Sequence, residues 1–188
     1  MTFLNEHLVE HSDYVSQRLR ERIAGLTDDE YFWQPVPDCW TVHPVNGTVD
    51  GGPPFPDEPP FPDEPPFPDE PPFTTIAWRL THIVDFLQTE RTATWFGLTP
   101  APDDGEPPIP GTAAAATQAF DHAVAVWRRR LIAVDDEQLC EKMGEIAGHY
   151  ADSDRASFAL HILDELIHHG AEVGVVRDLY RANMHQSG

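Results

Sequence analysis

The chain has 188 residues, with 12 Lys and Arg against 32 Asp and Glu and a formal net charge of −20. That length fits one domain with a sizeable core, and the charge argues against sequence-independent nucleic-acid binding and against adhesion to anionic membranes, both of which need a Lys/Arg surface. No run approaches 18 apolar residues, the amino terminus lacks the basic-then-apolar pattern of a signal peptide, and two cysteines, Cys39 and Cys140, cannot build a disulfide framework. The expectation is a cytoplasmic protein without nucleic-acid or membrane partners.

In chain order, residues 3–25 place Phe3, Leu4, Leu8, Val15, Leu19 and Ile23 near one face with charges between, the pattern of an amphipathic helix ended by Gly25. A short second turn follows at Leu26–Glu30. Residues 31–52 are broken by prolines and glycines and read as an irregular connection, with Phe32, Trp33 and Trp40 packed on the body. Residues 53–73 are three copies of Pro-Pro-Phe-Pro-Asp-Glu followed by Pro-Pro-Phe. Proline at this density opposes helix and sheet ladders and favours extended polyproline II, so the segment reads as an insert in a long loop. The alternative reading is a ligand for a proline-recognising partner, or a flap over a site.

A second helix runs from Thr74 or Thr75, either of which can cap it, to about Gly97, carrying Ile76, Leu80, Ile83, Leu87, Trp95 and Phe96. A Pro/Gly/Asp loop leads to a third helix from Thr112 to about Val134, with Phe120, Val124, Trp127 and Leu131. Residues 135–152 are mixed. A fourth helix starts near Ser153-Asp154 and ends near Arg181-Ala182, with Leu160, Leu163, Ile167, Val173, Val176 and Leu179 as its apolar set. No alternating strand pattern stands out. The predicted fold is all-α: a single four-helix bundle over 1–188, with the Pro-rich loop between its first and second long helices.

The chemistry concentrates on two helices. In the fourth, His161, Asp164, Glu165, His168 and His169 fall within nine residues. Positions four apart share a helix face, so His161/Glu165, Asp164/His168 and Glu165/His169 each pair an acid with an imidazole on adjacent turns. Such a pair can share a divalent cation if another helix brings a third ligand, and His82 on the second helix is available. Cys39 reads as a small buried apolar residue rather than a nucleophile.

The stretch Trp78-Arg79-Leu80-Thr81-His82-Ile83, together with Asp164-Glu165-Leu166-Ile167-His168-His169-Gly170-Ala171-Glu172 and Arg177-Asp178-Leu179-Tyr180, resembles the DinB-like superfamily. The Cys39–Val42 and Thr75–Trp78 segments fit it as well. The resemblance spans the chain apart from the repeat, and it implies a four-helix bundle with a metal site formed by one histidine of the second helix and two ligands four apart on the last. The usual pair there is His-x-x-x-His. Here Glu165 and His169 stand in its place, as in the mycothiol-dependent maleylpyruvate isomerase branch. The resemblance thus implies His82, Glu165 and His169 as ligands, with Asp164/His168 an equally spaced pair one residue out of register. It further implies a Zn, Ni, Fe or Mn ion with open positions, and a low-molecular-weight thiol such as mycothiol or bacillithiol. The reaction would be thiol transfer or thiol-assisted isomerisation of a small-molecule substrate. His161, Asp164 and His168 are then candidates to orient ligands, and Arg79, Arg91 and Arg177 to meet carboxylates of a thiol cofactor or of the substrate. A non-catalytic bundle that binds a ligand or a partner is the alternative, and a homodimer through a helix face is compatible with either.

Overall fold

The computed structural model describes residues 3–43, 55–56, 73–102, 104–105 and 107–186. Its helices are α1 (Phe3–Ile23), α2 (Asp28–Tyr31), α3 (Ile76–Gln88), α4 (Glu90–Trp95), α5 (Ala113–Ala133), α6 (Asp136–Leu139) and α7 (Arg155–Gln186), with a 3-10 segment at Glu145–Tyr150. The fold is all-α. Four long helices pack so that α1 and α3 each lie against both α5 and α7. Between them sits one apolar core, centred on fully buried Trp127, Phe120, Phe96, Leu80, Ile83, Leu87, Leu131 and Leu166. Burying a side chain of that size stabilises the fold by about 1.5–3 kcal/mol.

Polar contacts fix how the helices meet. Asp136, opening α6, accepts the Leu4 and Asn5 N–H groups of the first turn of α1, where free amides and the helix dipole favour a carboxylate. Asn5 donates in turn to the carbonyls of Leu131 and Val134, which close α5. In the core, the Trp127 indole donates to Ser12 Oγ at 2.8 Å, so the buried N–H keeps a partner.

The termini follow local chemistry. Thr27 and Glu30 form a capping box around α2. Thr75 caps α3 through Trp78 N, and Thr112 caps α5 through Ala115 N. Gly25 and Gly97 close their helices with φ of +66° and +72°. On the predicted apolar faces, Phe3, Leu160 and Leu179 are exposed instead. The last helix also runs past Arg181-Ala182 to Gln186.

Two further expectations are corrected. The predicted second helix is two, because the chain breaks at Thr89. The break contains neither proline nor glycine. It is held from outside, since the buried Arg130 of α5 donates to the carbonyls of Leu87, Gln88 and Thr89 that a continuous helix would have used. Thr92 Oγ1 also donates to Phe86 O at 2.7 Å. Sheet pairing also enters the Pro-rich segment. Phe55–Pro56 (β2) pairs antiparallel with Val42–His43 (β1), in the register Val42↔Pro56. A proline is tolerated in a two-stranded ladder where its missing N–H faces away from the partner. The rest of the repeat, and its polyproline II reading, lie outside the described residues.

Candidate metal centre

The site is built from α3 and α7, which pack side by side. The turn before α3 is pinned first: Thr75 N donates to Trp40 O at 2.8 Å, and the Thr75 and Thr41 hydroxyls bond at 3.1 Å. This seats the Trp40 ring 5.2 Å from Trp78. One turn on, Trp78 stacks on His82 at 5.1 Å with the rings 20° apart, and Phe86 meets the other flank edge-on at 5.5 Å. His82 is held by aromatic neighbours on both sides and directed at α7.

On α7, His169 is buried and Glu165 half-buried, one turn apart. Glu165 Oε2 lies 2.9 Å from His169 Nε2 and 3.7 Å from His82 Nε2. The three ligand atoms lie within 4.8 Å of one another. Donors bonded to one tetrahedral ion at ~2.1 Å are themselves about 3.4 Å apart, so only small side-chain rotations separate this geometry from a coordinated one. The neighbouring His169 and His82 imidazoles hold the Glu165 carboxyl far below the usual carboxylate range.

Glu172 completes the arrangement. Its Oε2 accepts from His169 Nδ1 at 2.8 Å and lies 2.8 Å from Arg79 Nε. Burial lowers the His169 pKa, but the bonds to Glu165 and Glu172 outweigh it and raise the value. Burial alone would raise the Glu172 carboxyl, yet His169 and the Arg79 charge bring it below its ordinary value. His168 Nε2 also reaches Glu172, at 3.2 Å. His168, His169 and Glu172 thus form a second group with metal-ligand atoms. There, however, the carboxylate is already paired with a guanidinium, whose charge opposes a cation.

The other predicted residues fall as follows. His161 is exposed, and its charge acts on Glu165 from one turn away. Asp164 and His168 are exposed, on a face turned away from the buried strip that carries His169. Arg79 is brought to the site, but bound to Glu172. Arg177 is not brought there. It is 2% exposed, donates to both carboxylate oxygens of Glu30 at 3.0 and 3.1 Å, and bonds the carbonyls of Arg22 and Ala24. It locks the end of α1 and the start of α2 to α7. Cys39 is buried.

Glu165 and His82 border a cleft of about 450 Å³ between α3, α4 and α7, walled by Phe86, Trp95, Met143, Phe158 and Ile162 and edged by Arg91, Tyr150, Ser153, Ser157 and His161. This is the size and lining of a small-molecule site. Glu172 and the 3-10 segment that brings Tyr150 to the cleft are not singled out by the sequence pattern. Glu172 was within reach, since it follows His169 by one turn. The 3-10 wall gives no periodic signal.

A helical bundle that turns two imidazoles and a carboxylate toward one point beside an apolar cleft defines a class, and the chain's family agrees with it. The chain belongs to the DinB superfamily, whose family model matches residues 12–173. No curated protein and no solved structure matches it. Among the described residues no helix is long and apolar enough to cross a membrane.

Proposed function

We propose that the protein is a metal-dependent enzyme in which His82, Glu165 and His169 hold one divalent cation, and that it acts on a small molecule with the help of a low-molecular-weight thiol. The observation that supports this most is the convergence of the three ligand atoms where the apolar cleft begins. Nitrogen and carboxylate donors suit Zn²⁺, Ni²⁺, Fe²⁺ or Mn²⁺. Three protein ligands leave coordination positions open, the layout of a catalytic rather than a structural site. A cation bound there supplies Lewis acidity, which favours the anionic form of a coordinated thiol or water.

The chain's own residues do the rest. Glu172 accepts the Nδ1 proton of His169 and so leaves Nε2 to face Glu165 and His82, while Arg79 holds Glu172 in place. Trp78 and Phe86 fix the plane of His82. The apolar walls give the cleft a greasy lining beside His82 and Glu165, and a mycothiol- or bacillithiol-type cofactor would enter it from solvent.

Elemental analysis of protein purified without chelator tests the ligand set. About one equivalent of metal is expected in the wild type, and loss of it in His82→Ala and in His169→Ala. Stoichiometric metal in both variants would sink the assignment. Cobalt-substituted protein tests the thiol: a thiolate-to-cobalt absorption band should appear when a thiol is added, and a loaded protein without that band refutes thiol chemistry while leaving metal binding in place.

A further inference from the structure

We infer that the cleft takes a small organic acid: a molecule with an apolar, ring-sized body whose anionic group is held by Arg91. The inference rests on reading this cleft as the substrate site. It does not require the cation.

Charge is the first argument. Among the described residues that line the cleft, only two carry a fixed charge: Glu165 on α7 and Arg91 on α4. Basic groups are scarce in a chain with 32 acids and 12 Lys and Arg, and nearly all of them are committed. Arg20, Arg22, Arg79, Arg128, Arg129, Arg130, Lys142, Arg155, Arg177 and Arg181 each lie within ion-pair distance of a carboxylate. Among the described residues, Arg91 and Arg18 have no such partner. Arg18 borders a different groove, between α1 and α7, whereas Arg91 borders the cleft that His82 and Glu165 reach. In so acidic a protein, a guanidinium left without a carboxylate at the edge of an apolar cleft is suited to bind one that arrives with a ligand.

Position is the second. The Arg91 guanidinium lies 5.6 Å from the Trp95 ring centre, and that ring lies 5.0 Å from Phe158 and 5.9 Å from Tyr150. The cation therefore sits beside an aromatic wall. An acid group can meet the guanidinium beside that wall while the apolar body runs along Phe158 and Ile162 toward Glu165, and the Ser153 hydroxyl lines the same cleft.

Length is the third. Phe158 marks the level of this wall, and Glu165 lies seven residues or two turns further along α7, which is about 10 Å. The ligand thus carries its acid group roughly that far from the atom that faces His82 and Glu165. One ring with a chain of three or four atoms fills the span.

Binding of two probes to the full-length, chelator-treated protein tests the inference by calorimetry: 4-phenylbutanoate, and 4-phenylbutan-1-ol, which has the same body without the charge. The acid should bind about tenfold more tightly than the alcohol, as a charge-assisted contact predicts. Arg91→Ala should abolish that preference, Arg91→Lys should retain part of it, and Arg18→Ala should leave it unchanged. Arg91 is exposed, and thermal unfolding of each variant verifies that it folds. The inference is overturned if the acid does not bind, if it binds no better than the alcohol, or if the preference survives Arg91→Ala. The metal plays no part in this measurement, so failure of the ligand set in the elemental analysis and failure here are separate results.

Discussion

The substitution Glu30→Gln isolates one charge. Gln has the same shape and can still accept the Thr27 N–H that closes the capping box of α2. It removes the carboxylate that binds Arg177 through two oxygens and Arg181 through one. Burial alone would raise the Glu30 pKa, but the bonds from Arg177, Thr27 and Arg181 bring it from 4.5 down to about 2. At ~1.4 kcal/mol per pH unit, that difference corresponds to about 3 kcal/mol of stability when Glu30 is ionised. The Arg177 and Glu30 side chains are only 3% and 6% exposed, so solvent screens the pair little. The variant also leaves a buried guanidinium without its counter-charge, a change that costs about 3–5 kcal/mol. Urea unfolding followed by circular dichroism should therefore show Glu30→Gln destabilised by about 3 kcal/mol near neutral pH. Because the folded-state pKa is depressed, this contribution is complete above 4.5 and is lost as the pH falls toward about 2. The gap between wild type and variant should close over that window. A gap below about 1 kcal/mol at neutral pH, or one that stays constant down to the acid limit, would refute the reasoning.

Three further outcomes are expected. Glu172→Ala should weaken metal binding by about 10- to 100-fold in chelator competition, because His169 loses the acceptor that orients it, and Glu172→Gln should weaken it less. Arg130→Met should destabilise the protein by about 3–5 kcal/mol, since three carbonyls and Asp104 lose a buried cation, and hydrogen exchange should accelerate in α4 first. Gly97→Ala should cost about 1–2 kcal/mol for the left-handed backbone alone, and more because the Arg155 guanidinium occupies the space a Cβ would need. In an Arg155→Ala background, denaturant melts should show only the backbone part.

The sequence carries those features whose causes lie close together along the chain. The apolar stripes of α1, α5 and α7, the Thr75 and Thr112 caps and the stop at Gly97 are all local, and so is the spacing of Glu165 and His169. The burial of His169 and the exposure of Asp164 and His168 were legible too. Ile162, Leu166, His169 and Val173 follow the helical repeat of one buried strip, and Asp164 and His168 lie off it. What escaped depends on distant partners. The break at Thr89 exists because Arg130 lies beneath it, and nothing between Ile76 and Trp95 announces that. Arg177 resembles a ligand-binding arginine until Glu30, 147 positions away, takes up its guanidinium. Arg91 then remains as the arginine that faces the cleft.

The joint at Thr89 gives α5 a hold over a place it does not touch. No residue of α5 lines the cleft, yet Arg130 sets the angle at which α4 leaves α3, and α4 carries Arg91 and Trp95. The separation between the His82 and Glu165 end of the cleft and its Arg91 end is therefore adjustable from behind, by side chains on the far side of the bundle. A selection for longer or shorter substrates would be expected to recover changes around Arg130, Asp104 and Thr92 as often as changes in the cleft itself.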